Sequence, residues 1–221
     1  LNLGGTNLAL QIGTTYTIDF TAVDPEETAV IDFYYRSSNS GSCSDGVKIG
    51  SSATEGFDTS HNWDTQDVAE GIYHICGVIN DSVNSPVGVF SDIVFAVHPD
   101  GSCFWTGWAD TSWSNDSNWV GCSGTTPQPT DKIVVTSSAI NQPVLSTSTD
   151  IDSIGPGSGG GILKVNSGVT LDFNNTAGTI ASSIILAGDS ESCSDCVVRS
   201  LGGASNITIS NEATLTLFDG I

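Results

Sequence analysis

The chain has 221 residues, 38% of them hydrophobic and 14% charged, which is enough for one large or two ordinary domains with apolar cores. Its formal net charge is −20, and its five basic residues are widely spaced. Nucleic acid and anionic lipid are therefore poor partners, because binding either one requires clustered Lys and Arg. The composition, rich in Gly, Ser, Thr and Asn, is typical of secreted all-β proteins.

Short alternating segments predict strands throughout the first hundred residues. Apolar and polar residues exchange at every position in the clearest of them, which is the pattern of a half-buried strand. The predicted strands are residues 16–22, 29–35, 47–49, 62–64, 71–79 and 87–97, with a polar loop at 37–46. With the turns between them, they amount to about seven strands, the number expected of a β-sandwich.

The second half changes character and predicts short strands separated by polar turns. These strands are residues 133–135, 151–154, 162–165, 169–173, 180–186, 197–198, 207–209 and 213–217. The strand–turn–strand unit at 161–173 is echoed at 204–217, and such internal repetition marks a stacked array of coils.

Two resemblances accompany these patterns. The series Tyr16-x-Ile18-x-Phe20-x-Ala22-x-Asp24-Pro25, Ala29-x-Ile31-x-Phe33-Tyr34-Tyr35, Trp63-Asp64-Thr65 and Gly71-Ile72-Tyr73 resembles the fibronectin-type-III-like modules of bacterial surface proteins. That resemblance covers residues 10–98 and implies a structural role for Tyr73. The series Trp105-x-Gly107, Asp110-x-x-Trp113-x-x-x-x-Asn118-Trp119, Pro127-x-Pro129 and Asp131-x-Ile133-Val134 resembles a motif found at the start of right-handed β-solenoids in autotransporter-like and adhesin-like proteins.

The predicted fold is therefore all-β. A fibronectin- or immunoglobulin-like sandwich at residues 1–100 precedes the capped start of a right-handed parallel β-helix at residues 101–221. The chain shows no signal peptide and does not begin with Met, so we expect a mature or excised fragment.

The six cysteines are an even number and lack a helical redox context, which favours disulfides in an oxidising compartment. Proximity in the sequence favours the pairs Cys43–Cys76, Cys103–Cys122 and Cys193–Cys196. The spacing of the last pair also suits zinc or redox chemistry, but no second Cys pair accompanies it, so a small disulfide loop is the favoured interpretation.

The most distinctive group is four tryptophans within fifteen residues: Trp105, Trp108, Trp113 and Trp119. The first coil of a solenoid exposes apolar side chains and unpaired backbone, and large buried indoles would cover them. We predict that the cluster is a structural cap. The alternative is a sugar-binding platform of exposed rings.

Asp24, Glu26 and Glu27 are hypothetical calcium ligands, with Asp64 or Asp67 as further candidates, because closely spaced carboxylates suit that ion. Solvated turn carboxylates are the alternative, and no cofactor is required. No serine–histidine–aspartate arrangement or nucleophile elbow is recognisable, so the chain is predicted not to be an enzyme.

The predicted function is that of an extracellular, bacterial structural or adhesive protein, a component of a stalk, fibre or surface layer. Its partners would be further domains of the same chain, identical subunits or surface glycans, and this segment would not insert into a membrane. One alternative is a carbohydrate-binding or carbohydrate-active β-helix. Another is a self-assembling filament subunit whose residues 1–10 or open solenoid end pair with a neighbour.

Overall fold

The computed structural model describes residues 7–23, 28–156, 161–165, 169–173, 179–180, 183–186, 197–200, 208–209 and 215–217. Within these ranges the chain forms strands and two short 3-10 helices, Cys43–Asp45 and Asp116–Asn118, but no α-helix. The all-β prediction is thus confirmed. No helix in the described ranges has the length and apolar character needed to cross a bilayer. The chain divides into two compact units, Leu1–Val97 and His98–Ile221.

The first unit consists of two groups of strands. Its strands are β1 Leu8–Gln11, β2 Thr15–Asp19, β3 Val30–Arg36, β4 Val47–Lys48, β5 Ala53–Thr54, β6 Ser60–Asp64, β7 Gly71–Asn80, β8 Val87–Phe90 and β9 Phe95–His98. Seven of them form a sheet in the order β1-β9-β7-β3-β4, with β5 beside β3 and β8 beside β7. The remaining two, β2 and β6, pair only with each other in the described structure.

One apolar core connects the two groups. Alternation points Ile18 of β2 and Trp63 of β6 inward, and both are almost fully buried in the same cluster as Phe33, Ile75 and Phe95 of the larger sheet. The rings of Trp63 and Phe95 meet edge to face, with centroids 5.8 Å apart. The period-two pattern in the sequence is therefore the pattern of this core.

The segment predicted as one strand at 87–97 is instead two strands, because Ser91 interrupts the ladder. The Ser91 side chain is buried, accepts a hydrogen bond from the backbone N–H of Ile75 (3.1 Å) and donates one to the carbonyl of Ile93 (2.7 Å). As a result β8 pairs with the second half of β7, while β9 pairs with its first half.

Tyr73 ties the start of β7 to the turn before it. Its hydroxyl donates a 2.9 Å hydrogen bond to the carbonyl of Ala69, four residues upstream. Burial, with smaller contributions from Tyr35 and Glu70, raises the pKa of Tyr73 to about 12. The phenol is therefore held in its neutral, donating form.

The second unit is built mainly from parallel strands. They are β10 Ser102–Trp105, β11 Trp119–Val120, β12 Lys132–Val135, β13 Val144–Leu145, β14 Thr149–Ile151, β15 Ser153–Pro156, β16 Ile162–Val165, β17 Thr170–Phe173, β18 Thr179–Ile180, β19 Ser183–Leu186, β20 Val197–Ser200, β21 Thr208–Ile209 and β22 Leu215–Leu217.

These strands fall into three sheets that the chain visits in rotation. The sheet orders are β11-β10-β12-β15-β18-β21, β13-β16-β19-β22 and β14-β17-β20. Among the pairings described for this unit, β10–β11 is antiparallel and the others are parallel. Matching residues stand over one another, as where Ile133 pairs with Ile154.

The inward side chains of the first turns form one core. Ile133, Leu145 and Ile151 belong to three different sheets, are at most 1% exposed, and share a cluster with Ile154, Leu163 and Leu171 of the next turn. The segment predicted as one strand at 151–154 contains the corner at Asp152 between β14 and β15, where the backbone N–H of Asp152 bonds the carbonyl of Asp131 (3.1 Å). The segment at 180–186 is likewise divided between β18 and β19.

Candidate functional site

The tryptophan segment, residues 105–119, precedes β12 and β13 in the chain and pairs with both. The backbone at Trp105 is aligned with Val135 in the parallel β10–β12 pair, and Ser112 forms a parallel bridge with Val144 of β13. The N–H of Trp113 also bonds the carbonyl of Val144 (3.2 Å). The segment therefore stands where a preceding turn of the same sheets would stand.

Three of the four indoles are buried together. Trp105, Trp113 and Trp119 are 0%, 5% and 6% exposed and belong to the core cluster that contains Ile133 and Leu145. Trp119 lies edge to face with both others, with centroid distances of 4.8 Å to Trp105 and 4.7 Å to Trp113. None of the three can offer a ring face to a sugar.

Two of these rings donate their indole N–H to backbone carbonyls. The indole N–H of Trp105 donates to the carbonyl of Asn141 (2.6 Å), and that of Trp119 donates to the carbonyl of Trp113 (2.7 Å). Buried Trp is stable where its N–H finds an acceptor in this way. Trp108 differs: it is half-buried, lies outside this cluster, and its indole nitrogen has no hydrogen-bond partner among the described atoms.

Asn118 holds the tryptophan segment in shape, a role that its place in the sequence motif does not indicate. Its side chain is 0% exposed. Its oxygen accepts the N–H groups of Ala109 (2.8 Å) and Asp110 (3.1 Å), and its amide donates to the Asp110 carboxylate (2.7 Å) and the Ser112 carbonyl (3.0 Å). All the hydrogen-bonding capacity of a primary amide is thus used, which explains why Asn precedes Trp119.

Asp110 supports the same loop from its exposed side. Its carboxylate accepts hydrogen bonds from the Asn115 amide (2.9 Å), the Ser112 N–H (2.7 Å) and Asn118. These bonds, the one from Asn115 most of all, hold the pKa of Asp110 below its ordinary value. The spacing Asp110-x-x-Trp113-x-x-x-x-Asn118-Trp119 is therefore explained by one closed hydrogen-bonded loop.

Gly107 completes the motif for a steric reason. Its φ is +63°, a conformation that favours glycine, and a Cβ at this position would collide with the backbone of Asn141. Asn141 in turn donates from its amide to the Gly107 carbonyl (2.7 Å) and accepts from Trp105. Nothing in the sequence pattern pointed to Asn141, because it lies far along the chain from its partners.

Both disulfides that proximity favours in the described ranges are present. Cys103–Cys122 joins β10 to the chain just after β11, beside the indole cluster, and Cys43–Cys76 joins a loop to β7 in the first unit. The Sγ atoms of Cys103 and Cys122 also lie within 4.8 Å of an Asp131 carboxylate oxygen. Because the two sulfurs are bonded to each other, they are not thiolates that could bind a metal. Asp131 instead accepts the N–H groups of Gln128 and Ser123.

Not all of the predicted site residues are among those that the structure describes. Asp24, Glu26 and Glu27, and the pair Cys193 and Cys196, are outside the described residues. Of the further calcium candidates, the exposed Asp64 accepts a hydrogen bond from the N–H of Gln66 (2.9 Å).

No known protein family, curated protein or solved structure matches this chain. Any functional assignment therefore depends on the chain's own residues and geometry.

Proposed function

We propose that this chain is an extracellular structural and adhesive protein, with a fibronectin-like sandwich followed by a right-handed β-solenoid. The observation that carries the proposal is the pairing of the tryptophan segment with β12 and β13, because it gives the parallel turns a buried starting face. A covered start and a side that accepts successive turns are the features that let a solenoid extend to any length.

The handedness follows from a general rule. Parallel strands joined by a crossover in one sheet are right-handed in about 98% of cases, since a right-twisted strand packs back onto its sheet only that way. In the first unit, support for a sandwich comes from the core shared by β2–β6 with the larger sheet. The hydrogen bond from Tyr73 to Ala69 has the form of the tyrosine corner of such folds.

The extracellular location is supported by the two disulfides in the described ranges. Bacterial origin and display at the surface rest on the sequence resemblances. Burial of three indoles favours the cap over a tryptophan sugar platform. A carbohydrate-active solenoid and a filament subunit stay as alternatives.

Hydrogen exchange tests the cap. Trp113→Ala should speed amide exchange in β12 and β13, which stand directly against the tryptophan segment, while β2 and β6 in the other unit keep their wild-type rates. Trp108→Ala is the matched control, since Trp108 lies outside the buried cluster. Unchanged exchange in β12 and β13 would contradict a capping role.

A second experiment tests the location. Producing cells are treated with N-ethylmaleimide before lysis, and the protein is analysed by mass spectrometry. Cys43, Cys76, Cys103 and Cys122 should be unmodified because they are oxidised, and protease added to intact cells should remove the protein. Alkylated cysteines in protease-resistant protein would rule out the extracellular proposal. Release of reducing ends from polysaccharides would favour the carbohydrate-active solenoid. Concentration-dependent sedimentation would favour the filament subunit.

A further inference from the structure

The outer face of the seven-stranded sheet carries a cavity of about 550 Å³. Its floor includes Asp32 and Tyr34 of β3, Val78 of β7 and Phe90 of β8, and residues 41–44 form one wall. Two of these floor residues are direct cross-strand neighbours, because Asp32 of β3 pairs with Val78 of β7. The volume lies in the range of about 300–1,000 Å³ that is usual for small-molecule sites.

A disulfide holds the wall of this cavity in place. Cys43 in the wall is bonded to Cys76 in the centre of β7, and both side chains are buried. The sulfur of Cys43 lies over Gly88 of β8, where an added Cβ would be only 2.7 Å from it. The wall is thus seated against a position where the sheet has no side chain.

Arg36 provides a second attachment for the same wall. Its guanidinium donates a hydrogen bond to the carbonyl of Ser42, lies 3.8 Å from the Asp45 carboxylate, and stands 5.8 Å from the centre of the Phe90 ring. The disulfide and the Arg36 contacts hold the wall in place before a ligand enters. Binding therefore costs little conformational entropy.

The charges of the cavity are balanced within the protein. The Asp32 carboxylate accepts from the Lys48 ammonium (2.8 Å) and from the Ser52 hydroxyl (2.5 Å) through the same oxygen. Burial raises the pKa of Asp32, but these hydrogen bonds outweigh it and the pKa lies below its ordinary value. Asp32 is therefore an ionised acceptor whose charge Lys48 already neutralises, and Arg36 is likewise engaged. A charged ligand of either sign would therefore find no unpaired opposite charge in the cavity.

What the cavity offers is neutral hydrogen bonding beside apolar surface. The Asp32 side chain is 29% exposed, and Asn80, Ser44, Phe90 and Val78 also line the cavity. The Ser44 hydroxyl shares a hydrogen bond with Ser42 (2.8 Å), and the side-chain oxygen of Asn80 accepts the N–H of Ser82 (2.9 Å). Ligands that carry hydroxyl groups at their edges and C–H groups on their faces match this arrangement. We propose that the cavity binds a neutral sugar, as a mono- or disaccharide unit of a glycan. This site lies in the first unit and is independent of the scaffold role and of the tryptophans.

The test uses the complete 221-residue chain on an array of neutral and acidic glycans. Hits are followed by titration calorimetry and saturation-transfer NMR, with lactose, maltose, cellobiose and N,N′-diacetylchitobiose as soluble probes. We expect neutral glycans to be retained, and sialylated or uronate-containing glycans to be retained more weakly.

Two variants locate the binding. Val30→Trp fills the cavity from a residue that is 45% exposed, so the core is not disturbed, and Asp32→Asn removes the charged acceptor. Each should weaken binding at least tenfold. Val47→Trp, also at an exposed position (56%) of the same sheet but outside the cavity, should bind as the wild type does.

The proposal is overturned if no neutral glycan is retained on the array and none shows saturation transfer at millimolar concentration. It is equally overturned if only acidic glycans bind, or if binding persists in both cavity variants. Circular dichroism establishes that each variant is folded, and if Val30→Trp fails to fold, Asp32→Asn with Asp64→Asn as its control decides the question.

Discussion

Replacing Asn118 with alanine tests whether one buried amide holds the tryptophan segment together. The substitution removes four hydrogen bonds from a side chain that is 0% exposed. Each such bond contributes about 0.5–1.5 kcal/mol net. Ala109 and Asp110 are exposed residues, so water can replace part of what they lose. We therefore expect a loss of about 2–4 kcal/mol in the free energy of unfolding of the second unit.

The measurement is denaturant unfolding followed by tryptophan fluorescence. Four of the five tryptophans lie in the second unit, so the signal mainly reports that unit. The matched control is Asn115→Ala, which removes one bond to Asp110 and the cap to the Ser117 N–H, for an expected loss of about 1 kcal/mol. If Asn118→Ala is no more destabilising than Asn115→Ala, the Asn118 hydrogen bonds do not hold the tryptophan segment in shape.

Three further predictions concern other contacts. Replacing both Cys103 and Cys122 with serine opens a loop with a sequence separation of 19, and should lower the free energy of unfolding by about 3 kcal/mol in the same fluorescence assay; an unchanged midpoint would count against the bridge. Tyr73 should be the last tyrosine to ionise in a spectrophotometric titration, near pH 12, so Tyr73→Phe should remove that final step. Because its folded pKa is raised, stability should fall as the pH rises from about 10 toward 12. Burial lowers the pKa of His74, so the imidazole is harder to protonate in the folded protein than in the unfolded chain. Stability of the first unit should therefore fall as the pH drops through about 6.5, and His74→Gln should flatten that part of the profile; an identical slope in the variant would refute the assignment.

The strands were largely predictable where one face of each is buried. Residues 16–22 alternate clearly, and the observed strand β2 spans Thr15–Asp19, with Ile18 buried between two exposed neighbours. The prediction was less accurate where a polar residue interrupts an apolar segment. Ser91 divides β8 from β9, and Asp152 is the corner between β14 and β15. A local pattern does not reveal whether a serine or aspartate faces solvent or replaces a ladder bond.

The tryptophan segment was likewise predictable only in part. Its spacing suggested a structural role, and the structure buries Trp105, Trp113 and Trp119 together. The motif included Asn118 but did not indicate its buried hydrogen bonds, and it did not include Asn141. An Asn in a polar loop is usually a turn residue, and only its buried partners distinguish the two cases.

The sequence alone determined the all-β class, because period-two alternation and turn residues act over a few neighbouring positions, and it favoured the Cys43–Cys76 and Cys103–Cys122 pairs by proximity. Tertiary structure decided which strands pair in parallel, how Asn141 reaches Trp105, and that a disulfide-held wall encloses a cavity over Asp32. Those outcomes depend on contacts between residues distant in the chain, whose geometry is set by the packing of whole sheets and leaves no local trace in the amino-acid pattern.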